Sequence, residues 1–411
     1  MTLLFFVIFF LVVDSYLFQA VLAVTDEWSG VWKKVVRFGF WVPTVLCIGA
    51  LAFWMLGDPY RVGSGMRNWI LTGLFATYFS KVFGILFVLA DDFQRGVRWI
   101  ASLFPNGVSE PLPGKAIPRS EFLTKAALVA TAIPFGTMAF GVISGAHDYR
   151  VRRIRVNLPK LPKSFDGIRI GHVSDIHSGS FYNRTAVKGG VQMLMNEKPD
   201  LIFFTGDLVN NEAGEMKEYT NVFNKLKAPL GVFSVTGNHD YGDYYNWSSG
   251  SAKQNNFRNL MAVHKQMGYR LLMNQNHIIR EGSDQLAIIG NENWGGRGFA
   301  KYGRLADAYH GSEEAAVKLL LSHDPSHWDL QVRQEFPDID VMFSGHTHGF
   351  QFGVEIGSIK WSPSQYAYKQ WAGLYHVGRQ YLYVNRGFGY LGYPGRIGMP
   401  PELTIMELKR A

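Results

Sequence analysis

The chain has 411 residues, 47% of them hydrophobic and 15% aromatic, and a formal net charge of +8, which makes it too long for one typical domain and too apolar for a plain soluble enzyme. A positive balance suits an anionic membrane surface; nucleic acid would also suit it, but no zinc-finger, homeodomain or RNP-type pattern is present, so no nucleic-acid partner is expected. The lone cysteine, Cys47, excludes a disulfide framework.

Residues 3–24, 38–57, 69–90 and 126–145 are nearly free of charge, and each has the length of about 20 residues that a helix needs to cross a bilayer. They predict an all-α bundle of four transmembrane helices over 1–147. A cleaved signal peptide is a poor account of the first, because MTLLFFVIFF lacks a basic leading region. Asp14 and Lys81 are the ionisable exceptions inside the spans. A carboxylate facing a neighbouring helix and a lysine reaching for the interface weigh above a functional reading of either. Pro134 predicts a kink.

Basic residues flanking the spans are tied at eight on each side, with Arg61 counted on one and Lys115 on the other. The densest cluster, YRVRRIRV directly after the fourth span, predicts a multi-pass protein of the cell (inner) membrane with a cytoplasmic carboxy-terminal domain.

That second domain, 148–411, opens with IRVNLPKLPKSFDGIRIGHVSDIH. It reads as a strand, a Pro-rich connection and a second strand ending at Asp175 and His177. An amphipathic stretch, 186–195, predicts a helix. The apolar run 201–204 then ends in Thr-Gly-Asp, placing Asp207 just past a strand. The run 231–235 ends in TGNHD, with Asn238, His239 and Asp240. The polar segment 241–256 that follows is a candidate specificity cap. The run 317–321, helix or strand by its pattern, precedes His323 in SHDP, and VMFSGHTHGF presents His346 and His348 after another short apolar run.

Each motif alone is weak. Five in order, each at the end of an apolar run, make chance a poor account, because neighbouring strand ends in an open α/β sheet share one crevice. Oxygen and imidazole donors without thiolate suit divalent ions such as Mn²⁺, Fe²⁺ or Zn²⁺. Seven donors, Asp175, His177, Asp207, Asn238, His323, His346 and His348, exceed what one ion needs and fit two, the arrangement that clamps a phosphoryl group.

In that order DIH, GDLVN, GNHD, SHDP and GHTHG resemble the signature blocks of the calcineurin-like metallophosphoesterases. The resemblance covers about 166–408, and the tail YVNRGFGYLGYPGRIGMPPELTIMEL is similar to the membrane-associated bacterial branch. It implies a four-layered α/β sandwich, two central sheets flanked by helices, with two divalent metals at the strand ends and manganese as the leading candidate. Carried over by motif, Asp175, His177, Asp207 and His348 would hold one ion, and Asp207, Asn238, His323 and His346 the other, with Asp207 bridging. His239 matches the family's phosphate-contacting histidine, and Asp240 would orient its ring. Phe350 and Ser178 depart from common family residues, and neither is a ligand.

The implied reaction is hydrolysis of a phosphoester or pyrophosphate without a covalent intermediate. Membrane-associated members include UDP-2,3-diacylglucosamine pyrophosphatases, which makes a lipid-linked phosphate the leading substrate class. Arg386 and Arg396, in Gly-flanked turns, are candidate substrate-binding residues. Two other readings stand beside this one: a tethered phosphatase or phosphodiesterase for water-soluble substrates, and an inactive membrane sensor. The complete donor set speaks against the sensor.

Overall fold

A computed structural model describes residues 2–57, 64–101, 103, 119–357 and 359–411. Arg61 and Lys115 of the charge count lie outside them. The chain divides into two compact units, Met1–Phe140 and Gly141–Ala411.

The first unit is helical: α1 (Thr2–Val24), α2 (Gly30–Gly39), α3 (Val42–Leu56), α4 (Ser64–Ala101) and most of α5 (Glu121–Ile143). Four stretches, Leu3–Val24, Gly30–Leu56, Met66–Ala101 and Glu121–His147, are long and apolar enough to cross a membrane. The expected second span, 38–57, is not one continuous helix. It breaks at Phe40 and Trp41, so that α3 has 15 residues, about 22 Å at 1.5 Å per residue and short of a ~30 Å hydrocarbon core. The amphipathic α2, with Lys33, Lys34 and Arg37, completes that stretch. Helix α4, with 38 residues, is longer than a crossing requires; past residue 90 it carries Asp91 and Asp92, and Arg119 pairs with both.

Asp14, fully buried in α1, pairs with Lys81 of α4 and accepts hydrogen bonds from Thr44 Oγ1 of α3 at 2.6 Å and Tyr78 Oη of α4 at 3.0 Å. The ammonium also lies 4.7 Å from the centre of the Tyr78 ring. Both charges are therefore compensated inside the unit, as buried ions must be.

The second unit is built on two six-stranded sheets. In chain order its strands are β1 (Arg150–Leu158), β2 (Arg169–Val173), β3 (Leu201–Phe204), β4 (Val232–Ser234), β5 (Arg270–Leu271), β6 (Gln275–Glu281), β7 (Asp284–Gly290), β8 (Val317–Leu321), β9 (Val341–Ser344), β10 (Val354–Ile356), β11 (Ile359–Trp361), β12 (Gly373–Val377), β13 (Gln380–Val384) and β14 (Glu402–Arg410). One sheet has the order β1-β14-β2-β3-β4-β5, the other β12-β13-β9-β8-β7-β6, and β10 and β11 form a separate ribbon.

Strands β2 to β5 run parallel, as do β7, β8, β9 and β13. Such strands are buried on both faces and read as unbroken apolar runs, which is why LIFF and VKLLL show no alternation and why residues 317–321 are a strand. Lys318 in that run survives burial by donating to the carbonyls of Glu313 and Ala315 at 2.9 and 3.0 Å.

Phe203, Phe233, Leu319, Val341 and Phe343 fill the space between the sheets, with the Phe203 and Phe343 rings meeting edge-on at 4.9 Å. On the outer face of the first sheet, α6 (Arg184–Asn196), α7 (Thr220–Phe223) and α8 (Gly250–Met267) bury Val187, Leu194, Phe223 and Leu260 against Ile202 and Phe204. On the far side of the second sheet, α9 (Leu305–Tyr309) and the turn Trp328–Val332 cover Ile289, Leu320 and Met342. The result is a four-layered α/β sandwich. The polar segment 241–256 differs from the expected loop, because its last seven residues open α8 behind the N-cap Ser249, whose hydroxyl accepts from the Ala252 amide at 3.1 Å.

Candidate metal centre

The carboxyl ends of β2, β3 and β4 face those of β8 and β9, and every predicted donor sits in the loop after one of these strands. All seven are buried except His346, which is half-buried. Asp175, His177 and His348 form one tight group, and Asp207, His323 and His346 a second. His348 Nε2 lies 3.3 Å from Asp175 Oδ1. Asp207 Oδ2 is 3.4 Å from His177 Nε2 and 3.2 Å from His323 Nε2, so one carboxylate oxygen serves both groups.

The protein itself orients these donors. His323 Nδ1–H donates to the Thr205 carbonyl at 2.7 Å and His177 Nδ1–H to Asn210 Oδ1 at 3.1 Å, so that each ring turns its Nε2 towards the carboxylates. His346 Nε2 meets Tyr368 Oη at 2.8 Å while its Nδ1 points at His323 Nε2, 3.2 Å away. Asn238 Nδ2 donates to Tyr244 Oη at 3.0 Å, which leaves its Oδ1 for the centre. His177 Nε2, His348 Nε2 and Asn238 Oδ1 are buried without any hydrogen-bond partner among the described residues. Buried polar atoms normally have one, so three such acceptors beside two carboxylates fit a pair of divalent cations.

Charge in the metal-free protein follows the same plan. Burial alone would raise Asp175 and Asp207; His348 and His323 hold the first below its ordinary range, and His323 and His239 hold the second. Burial lowers His177 to about 3, keeping it neutral, while in His323 burial is outweighed by Asp207 and Asp175, which raise it to about 10.

The backbone is strained where the donors sit. Asp175, His177, Asp207, His346 and His348 have φ between 48° and 71°, half of the ten described non-glycine residues with positive φ. A side chain in this left-handed region costs free energy, and such strain collects at functional sites. Gly345 serves through its size: a Cβ there would lie 2.0 Å from Ser174 Oγ and 2.1 Å from Asp175 Oδ2. That close approach lets the His346 amide donate to both Asp175 oxygens at 3.0 Å.

The centre forms the floor of a cavity of about 440 Å³ with walls of Phe299, Phe350, Tyr368, Leu391 and Tyr393. His239 lines it. Asp240, expected to orient the His239 ring, instead accepts from the backbone amides of Asp207, Leu208 and Gly237 at 2.8–2.9 Å. It sets the loops, and the Asn210 carbonyl orients the ring, accepting from His239 Nδ1–H at 2.8 Å. Burial, then Asp207, raises the Asp240 carboxyl to about 7.

Arg386 and Arg396 are not brought to the cavity. Both are buried: Arg386 pairs with Glu402 at 2.6 Å and Glu355 at 3.1 Å, and Arg396 donates to the carbonyls of Arg386 and Met399 and lies 3.2 Å from His348 Nδ1. The orienting roles of Asn210, Thr205, Tyr244 and Tyr368 were not anticipated, although Asn210 closes the GDLVN block, Tyr244 lies in the candidate cap 241–256 and Tyr368 belongs to the aromatic-rich closing segment.

The two groups of Asp and His are able to hold a dinuclear metal. Residues 168–350 match the model of the calcineurin-like phosphoesterases, and residues 1–146 match that of the probable calcineurin-like phosphoesterase transmembrane domain. The chain is 29% identical over 416 residues to a transmembrane protein with metallophosphoesterase domain from Danio rerio, covering 92% of this chain and 90% of that protein. It is 28% identical to the uncharacterized metallophosphoesterase YkuE of Bacillus subtilis, covering 67% of this chain and 94% of that one. It is also 28% identical to the UDP-2,3-diacylglucosamine pyrophosphatase LpxG of Chlamydia trachomatis, covering 63% of this chain and 88% of that one. The chain belongs to the calcineurin-like metallophosphoesterases: it is an integral membrane, metal-dependent phosphoester hydrolase.

Proposed function

We propose that the protein hydrolyses a phosphoester or pyrophosphate carried on a lipid, at the cytoplasmic surface of the membrane that anchors it. The observation that carries this reading is a two-group Asp/His floor sharing Asp207 beneath walls of Phe299, Phe350, Leu391 and Tyr393. The relative named a UDP-2,3-diacylglucosamine pyrophosphatase supports the substrate class, and the arginine cluster after the fourth span supports the side.

Asp175, His177, Asp207 and His348 would hold one cation, and Asp207, Asn238, His323 and His346 the other, with Mn²⁺ the first candidate among borderline divalent ions. When bound, the two ions supply Lewis acidity towards the phosphoryl group and make water a nucleophile at neutral pH. His239, its Nδ1–H fixed by Asn210, turns Nε2 to the cavity. There, when protonated, it stabilises charge on the phosphoryl oxygens and hands a proton to the leaving oxygen. The aromatic and aliphatic walls accept the first carbons of an acyl chain while the rest stays in the bilayer.

The test compares full-length enzyme in vesicles, supplied with Mn²⁺, on a lipid-linked pyrophosphate and on its deacylated headgroup. A clear preference for the lipid form is expected; equal rates would mean a tethered enzyme for water-soluble substrates. A protease that reaches the second unit only from outside intact cells would reverse the sidedness.

A further inference from the structure

The ribbon β10–β11 has its two faces reversed. Val354 pairs with Trp361 and Ile356 with Ile359, which puts these four side chains on one face, while Glu355 and Lys360 pair on the other. A ribbon on a water-soluble protein turns its charges out and its apolar side chains in. Here Glu355 points inward to Arg152 at 2.6 Å and Arg386 at 3.1 Å, and Lys360 donates to the Ala372 carbonyl with its ammonium 4.5 Å above the Trp371 ring. The apolar face looks outward: Ile356 is 71% exposed and Ile359 63%. Phe350 and Phe352, both more than two-fifths exposed, extend the same patch to the mouth of the cavity, where Phe350 is part of the wall.

We infer that this ribbon is a bilayer-docking element, with Ile356 and Ile359 seated in the acyl region and the cavity mouth opened towards lipid headgroups. The strand connections of the second unit name the bilayer as occupant. Phe352 bridges to Ile397, and the flanking amides close the pair: Ile397 N–H donates to the Gln351 carbonyl at 2.8 Å and Gly353 N–H to the Ile397 carbonyl at 2.9 Å. The preceding residue, Arg396, donates its amide to the Gly141 carbonyl at 3.1 Å. Gly141 lies in the last turn of α5, inside the apolar stretch Glu121–His147. The base of the ribbon is therefore fastened to the segment where the chain leaves the membrane, and an apolar face held there meets lipid before water. A second copy of the chain is a poor occupant, since six side chains fall far short of the roughly 20–30 residues per side in a stable dimer. The inference stands apart from the choice of substrate.

Cys47 is the only cysteine, so a Cys47→Ala background allows single labelling of the full-length protein. An environment-sensitive fluorophore is placed at Ile359→Cys and, as a control, at the exposed Lys217→Cys. Each protein is reconstituted in phosphatidylcholine/phosphatidylglycerol vesicles with and without nitroxide-labelled acyl chains. Hydrolysis of bis(p-nitrophenyl) phosphate at the parental rate checks the fold. The label at 359 should shift to the blue and lose most of its emission to the nitroxide lipid, while the label at 217 does neither. Equal, water-like emission at both positions would overturn the inference. So would a blue shift at 359 that nitroxide lipid does not quench, which would mean that a second copy covers the ribbon. Failure of the lipid-substrate reading would leave the quenching unchanged.

Discussion

The two units both bury carboxylates, and they compensate them in opposite ways. In the membrane unit Asp14 has a closed set of partners: one ammonium and two hydroxyls, all supplied by the chain. In the second unit Asp175 and Asp207 face imidazoles, and three acceptor atoms around them have no hydrogen-bond partner among the described residues. A closed set is a structural joint. An open set, rigidly oriented, is a binding site.

The largest effect should come from breaking the open set. Asp207→Asn removes the carboxylate that both groups share, and losing several kcal/mol of charge stabilisation should lower hydrolysis by about 10⁴-fold or more. Elemental analysis should show that both ions are lost together. Retention of one full equivalent of metal would mean that Asp207 serves a single ion.

The closed set should respond in stability instead of chemistry. Asp14→Leu leaves Lys81 unpaired and should destabilise the protein by about 3–5 kcal/mol, whereas Asp14→Leu with Lys81→Met should recover most of that. Thermal unfolding of full-length protein in detergent measures both, and folded Asp14→Leu protein without activity would make Asp14 functional. Smaller again, His239→Ala should slow turnover by about 10² to 10³ while metal content stays intact. Metal loss on that change would add His239 to the ligands.

A third treatment of buried titratable groups refines the contrast. Burial lowers His172, His264 and His327 each to about 4 from the ordinary 6.5, outweighing Glu402 and Asp175 at His172 and Asp324 at His327, whereas at His323 the carboxylates win. Between those values the unfolded chain binds protons that the folded protein does not. The contribution of these three histidines to stability is therefore complete above about pH 6.5 and falls as pH drops towards 4, by about 1.4 kcal/mol per pH unit for each histidine, against a smaller opposing contribution from raised carboxyls such as that of Asp240. Chemical denaturation at a series of pH values checks the slope; stability that is flat or rising over this interval would refute it.

The donors were legible in the sequence because each follows a short apolar run, and a buried parallel strand has no other way to end than in a polar loop at the sheet's carboxyl edge. Residues 317–321 stayed ambiguous for a related reason: a fully buried strand and a buried helical turn look alike until the flanking strands β7 and β9 are seen to pair with it. The groups that orient the donors were less visible. Thr205 acts through its carbonyl and Tyr368, one of many aromatics in the closing segment, from 22 residues away in the chain, so neither role shows in the local sequence. Arg386 and Arg396 sit beside glycines like surface turn residues, yet Arg386 is claimed by Glu402, 16 residues further on, and Arg396 by backbone carbonyls. The ribbon escaped notice because its alternation is normal and only its direction is reversed.

Gly345 joins the two sheets by what it lacks. The Asp175 loop carries Asp175 and His177 of one group, the loop after Gly345 carries His348 of that group and His346 of the other, and the two loops touch where a methyl group would meet Asp175 Oδ2 at 2.1 Å. The single hydrogen atom that Gly345 carries in place of a side chain thus sets how closely these two loops approach. Gly345→Ala would change no ligand and no charge, but it would force the loops apart, drawing His348 away from Asp175 within one donor group and loosening the grip of the His346 amide on the same carboxylate.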